Sequence, residues 1–200
     1  MSIATYTDLR ASIKSWLRRS DLDSIIPDFV ALCEADLNSR LRLPNMENRA
    51  TASVSGEYAS LPTGFLEMRN IQLNTNPVTP LSYLSPQDID RAYGGQSGKP
   101  LFYAIVGNEL QFAPVPDGTY TSEMDYYAQI DALSTAETNW LLTKAPDVYL
   151  YGSLIHSAPY VHDDKRITTW NALYEKGIIR IEMEGAKKVH SGSLLEMRPG

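Results

Sequence analysis

The sequence is poor in the residues from which reaction centres and covalent staples are built. Of its 200 residues, one is cysteine and three are histidine. A lone Cys33 excludes an internal disulfide framework and a cysteine-based zinc site. On an apolar helix face it reads as a packing residue. No run of 18 or more apolar residues occurs, so no membrane-spanning helix is expected. The opening MSIATYTDLR has no basic region followed by an apolar run, so no secretory leader is expected. Gly94-Gly95-Gln96-Ser97-Gly98-Lys99-Pro100 is not a phosphate loop: the spacing is wrong, and Pro100 stands where a Ser or Thr would hold Mg²⁺. There is no serine-centred nucleophile elbow, no internal repeat and no low-complexity tract. Basic residues are scarce between Met46 and Asp131, with four against ten acidic ones, so that this stretch carries the entire net charge of −6. Phosphate affinity comes from Lys and Arg, so the middle of the chain is not built to grip nucleic acid. The acidity suits a wall that DNA slides past, and equally a plain solvated surface.

What the sequence does have is helical periodicity at both ends. With Thr7 as N-cap, Leu9, Ile13, Trp16 and Leu17 form one helical face. A second helix opens near Asp23-Ser24 with Pro27 in its first turn. Ile25, Phe29, Leu32, Cys33, Leu37 and Leu41 face inward, and Pro44 follows its end. The two make an antiparallel hairpin. The most apolar stretch, Asn139 to Asp164, reads as one long helix with Thr143 as cap and Pro146 in the first turn. Its two adjacent apolar stripes place it in the middle of other helices, Pro159 kinks or ends it, and Asp163-Asp164 restarts the chain. A final helix from about Asp164 to Glu184 presents Trp170, Leu173, Tyr174, Ile178 and Ile181, with Gly177 a weak point.

Between the helical halves the period changes to two. Strands are expected over Arg49 to Val54, Tyr58 to Leu61 and Leu66 to Asn74. Ser85-Pro86-Gln87-Asp88 opens a short helix that ends near Tyr93. Gly107-Asn108 joins Leu101–Val106 to Glu109–Ala113 as a hairpin, and Tyr120 to Ile130 is a long last strand. The reading is an α+β chain. A helical bundle of two N-terminal and two C-terminal helices (1–45 and 133–185) carries an inserted antiparallel β-rich subdomain (46–132). Residues 186–200 form an extended C-terminal arm, where Leu194, Leu195 and Met197 are apolar without periodicity, as in a segment that orders on a partner.

Candidate chemistry is thin. His156 and His162 are six apart across Pro159, whereas a helical metal pair is four apart; with Asp163 and Asp164 nearby a metal site is one reading, and a polar residue of the long apolar helix touching a neighbour is the favoured one. Glu137 and Glu47 are the carboxylates to consider for a hydrolase, since such pairs meet only in three dimensions. Tyr126, Tyr127, Tyr149, Tyr151, Tyr160, Trp140 and Trp170 have too few basic neighbours to form a base-stacking surface and read as core and interface.

Four stretches, PDFVALCEADLNSRLR, LPTGFLEMR, KPLFYAIVGNELQFAPVPDGTYTSEMDYYAQI and NWLLTKAPDVYLYGSLIHSAPYVHDD, together with the tail SGSLLEMRPG, resemble the head-to-tail adaptor (connector) proteins of short-tailed bacteriophages. The likeness covers nearly the whole chain in order. One departure is Ile155-His156-Ser157, where a Glu-Ala-like pair is the family pattern. The resemblance implies a virion protein made in the host cytoplasm, with no cofactor, metal or membrane. It implies a dodecameric ring below the portal protein that extends the DNA channel without binding DNA specifically. That ring would offer a platform to tail nozzle or fibre-attachment proteins. It also implies that the arm reaches the portal, with Leu194, Leu195, Met197 and Arg198 making the contact. The weighed alternatives are a virion-associated cell-wall hydrolase and a small-molecule or DNA-binding module.

Overall fold

The computed structural model describes residues 3–19, 21–161 and 165–190, with 189 and 190 by backbone alone. Seven helices and ten strands follow one another among these residues. The helices are α1 (Tyr6–Leu17), α2 (Ile26–Arg40), α3 (Pro86–Tyr93), α4 (Leu133–Ala136), α5 (Trp140–Lys144), α6 (Pro146–His156) and α7 (Arg166–His190). The strands are β1 (Glu47–Val54), β2 (Tyr58–Ser60), β3 (Phe65–Leu73), β4 (Thr79–Pro80), β5 (Ser82–Tyr83), β6 (Ser97–Gly98), β7 (Phe102–Val106), β8 (Glu109–Ala113), β9 (Val115–Pro116) and β10 (Tyr120–Ala128). The chain is mixed α+β. It divides into two compact units, one drawn from residues 1–45 and 130–200, the other from residues 46–129.

In the first unit α1, α2, α5 and α7 all pack on α6. The reason is in the sequence of α6: Val148, Tyr149, Leu150, Gly152, Ser153 and Leu154 are all buried, so no side of it suits water. The expected single helix from Asn139 is two. Ala145 lies between them at φ −142°, ψ 65°, because a proline crowds the residue before it out of the helical region. Pro146 then serves as the first residue of α6. Asn139, not Thr143, is the cap. Its Oδ1 accepts the Leu142 N–H at 2.8 Å, while Thr143 Oγ1 donates back to the Asn139 carbonyl at 3.0 Å. α6 stops at His156, and Pro159 sits in the short 3-10 turn Ala158–Tyr160. Asp163 and Asp164 lie outside the described residues. The cap of α1 is also two residues earlier than expected: Thr5 accepts the Asp8 N–H and the Asp8 carboxylate accepts the Thr5 N–H, a capping box.

The glycine expected to weaken the last helix is instead a contact point. A Cβ at Gly177 would meet Val148 Cγ2 at 2.7 Å, and one at Gly152 would run into Cys33 Sγ and Tyr174. At each point a glycine of one helix makes room for a side chain of the other, Gly177 of α7 for Val148 and Gly152 of α6 for Tyr174. Gly185 does the same against Leu43, so α7 does not end there but continues to His190. Cys33 is fully buried, and desolvation pushes its thiol well above the ordinary cysteine range. It is an inert packing residue.

The second unit holds the sheets. β1, β10, β3 and β4 form one antiparallel sheet in that order; β2, β8 and β7 are antiparallel and β5 joins β7 in parallel. β6 and β9 add a two-stranded parallel ladder. The parallel pairings and the four two-residue strands were not visible as a period-two pattern. Ala50, Met124 and Ile71 lie side by side across β1, β10 and β3 and point inward. There Val54, Ile71, Leu73 and Met124 meet Leu110 and Phe112 of the second sheet in one buried cluster. Ile89 of α3 covers Ala104 and Ala113 of the β7–β8 hairpin.

Candidate functional site

Two faces of the first unit are apolar and turned to solvent. On α7, Trp170, Tyr174, Ile178 and Ile181 are buried. The opposite line, Thr169, Ala172, Lys176, Ile179, Met183 and Ala186, recurs every three or four residues and carries a single charge. Ile179 is 54% exposed and Met183 60%. On α2, Phe29, Cys33 and Leu37 are buried, and the outward line is Asp28, Ala31, Leu32, Ala35 and Ser39. Three residues expected inside stand outside. Leu32 is 51% exposed, Trp16 42% and Leu173 37%. Each lies about 100° around its helix from the neighbour that is buried, which is the angular step of one residue. Trp16 still shields Tyr151 edge-on at 5.8 Å.

The second unit presents a polar face. Arg49, Asp125 and Asn70 lie directly across from one another on β1, β10 and β3, followed by Thr51, Glu123 and Gln72. Arg49, Asn70 and Asp125, with Glu47, Asn48 and Arg69, line a pocket on this sheet. Both arginines are engaged: Arg49 donates to Glu123 at 2.5 Å, and Arg69 lies 3.4 Å from Glu47 and over the Tyr127 ring. Arg49 and Asn74 hold the Glu123 carboxyl below the usual range.

The carboxylates show the same pattern elsewhere. Hydrogen bonds from Arg40 lower Glu175, and those from Lys144 lower Glu184. Glu34 moves the other way. Burial raises its carboxyl, although it accepts the Leu133 N–H at 2.8 Å. A raised carboxyl is what a general acid needs, but this one already holds a backbone donor. One turn along α2, Asn38 Oδ1 accepts the Ile130 N–H at 2.8 Å. Together they clamp the segment through which the chain returns to the first unit. Sequence reading missed both, because a helix position gives no sign of a partner some ninety residues later.

Glu47 and Glu137, the two carboxylates considered for hydrolysis, fall in different units. Glu137 takes a left-handed backbone (φ 59°), and its carbonyl accepts the Tyr6 N–H at 2.7 Å. Among the described residues no three His, Cys, Asp or Glu side chains group as metal ligands. His156 ends α6; His162 lies outside the described residues, as do Leu194, Leu195, Met197 and Arg198. No helix among the described residues is long and apolar enough to cross a membrane.

Solvent-facing apolar stripes on α2 and α7 offer surfaces for contact with other proteins. The family model of the SU10 adaptor protein matches residues 4–195, and the chain belongs to that family. It is a phage adaptor protein and a component of the virion, and adaptors join other head and tail proteins. No curated protein matches the chain.

Proposed function

We propose that the protein is one subunit of a ring that sits below the portal, continues the DNA channel and offers a platform to tail components. The observation that carries this is the family match across residues 4–195. It is supported by apolar stripes that a lone subunit leaves in water, since a soluble monomer seldom keeps a continuous one. A closed ring forms by heterologous contact, one face of each copy against a different face of the next. The chemistry asked of the protein is assembly and passage, without a reaction step. The residues between 46 and 131 hold four basic against ten acidic side chains. Such a surface near the channel leaves phosphate nothing to hold.

The arm, which follows α7 and so begins after His190 and not at residue 186, meets the portal through Leu194, Leu195, Met197 and Arg198. Each copy binds weakly, and repetition around the ring raises the effective concentration of the others. The test is to mix the full chain with its portal and examine the complex by electron microscopy and sedimentation, beside a variant that lacks Ser191–Gly200. A ring on the portal that the truncation weakens by at least about tenfold is expected. A full chain that stays apart from the portal overturns the assembly reading. Binding that the truncation leaves unchanged removes the arm from it.

A further inference from the structure

The two outward stripes of the first unit match each other in spacing, size and charge. On α2 the positions Asp28, Ala31 and Ala35 are separated by three and four residues; on α7 so are Lys176, Ile179 and Met183. Laid side by side in the same direction, the long side chains Ile179 and Met183 stand over the two alanines. Lys176 then falls opposite Asp28. Large-over-small alternation is how two helices interdigitate, and opposite charge fixes which register is taken. Neither Asp28 nor Lys176 makes an ion pair among the described residues.

The direction also agrees. Within one subunit α2 and α7 run in parallel. Tyr174 Oη donates to Asp36 at 2.6 Å, Arg40 binds Glu175 through two hydrogen bonds, and further along both chains Leu43 lies against Gly185. Rotation about a ring axis keeps the direction of any helix along that axis. With α2 and α7 set along that axis, α7 of one copy meets α2 of the next in the parallel sense that the register requires.

We propose that the α7 stripe of one copy packs on the α2 stripe of its neighbour, with Ile179 over Ala31, Met183 over Ala35 and Lys176 across from Asp28. This rests on the ring reading above and names the contact that closes the ring.

The test places cysteines at Ala35→Cys and Met183→Cys in the full chain, assembled on the portal and exposed to a mild oxidant. Buried Cys33 stays out of the reaction. A ladder from dimer upward on a non-reducing gel is expected from the double variant and from neither single one. A ring visible by electron microscopy without the ladder overturns this contact and leaves the ring standing. A new band that contains only adaptor and portal assigns the stripe to the portal and overturns it too. No ring at all removes the ring reading, and this contact with it. A charge swap is the second check. Lys176→Glu raises the concentration needed for assembly about three- to tenfold, and Asp28→Lys in the same chain restores it. Equal loss in the single and double variants overturns the register.

Discussion

Glu34 shows how one side chain's surroundings decide what its charge does. The ion-paired carboxyls Glu123, Glu175 and Glu184 are held low by their cationic partners and lose that support as the pH falls. Glu34 is raised because burial outweighs its one backbone donor. Its contribution is therefore fully present below the ordinary glutamate value of about 4.3 and is lost as the pH rises through its higher folded value. Glu34→Gln keeps an acceptor for the Leu133 N–H and removes the desolvated charge. The variant should melt about 1–3 °C above the parent near pH 8, and the difference should vanish near pH 4. A melting-temperature series across that range reads it directly. A parent more stable than the variant at pH 8 would mean that the charged form is favoured here. The position is readable in the sequence as a helical Glu. Its environment is not, because Leu133 lies 99 residues away in the chain.

At the scale of elements, the break between α5 and α6 turns on Asn139. Besides capping α5 through Leu142, its amide donates to the Tyr149 hydroxyl and to the Asp131 carbonyl, both at 2.8 Å. Tyr149 is fully buried. Asn139→Ala removes a cap and strands a buried hydroxyl, so it should cost about 2 kcal/mol or more in urea denaturation. Thr143, the cap that the sequence pattern favoured, faces solvent, and Thr143→Val should cost under about 0.5 kcal/mol. Equal losses would restore Thr143 as the cap. The pattern went astray because Ser, Thr, Asp and Asn all serve as caps, and Thr138, Asn139 and Thr143 all stand near the same helix start. The break is decided by Pro146, whose effect on Ala145 is local and was open to reading. Gly152 and Gly177 carry the opposite lesson. Their propensity cost is legible in sequence, whereas the close helix contact that requires them appears only when α6 meets Cys33, Tyr174 and α7.

Across the whole molecule, charge is unevenly spread. Between residues 46 and 131 four basic side chains face ten acidic ones, while the remainder is balanced. Among the described residues Arg49, Arg69 and Arg91 already sit beside carboxylates. The isolated protein should pass a double-stranded DNA column in about 50 mM salt without retention. Retention that only several tenths molar salt releases would reveal phosphate contacts and contradict a surface that DNA passes. The two units also differ in how they were readable. Helical stripes in the first could be traced residue by residue. The second yielded its hairpin at Gly107-Asn108, but not the partnership of β1 with β10, whose paired residues Glu47 and Tyr127 lie eighty positions apart.

Neighbours along the chain dictate the period of each segment, the proline break and the hairpin turn, and composition alone sets the shortage of cysteine, histidine and midchain cations. The sequence also carried the family likeness, since that is a property of residue order. Tertiary structure alone decided which side of each helix is covered, and so why Leu32 and Met183 face water while Cys33 and Ile181 do not. It also set the Glu34 and Asn38 clamp and the central place of β10 between β1 and β3. These outcomes depend on contacts between residues far apart in the chain, and local propensity carries no record of them.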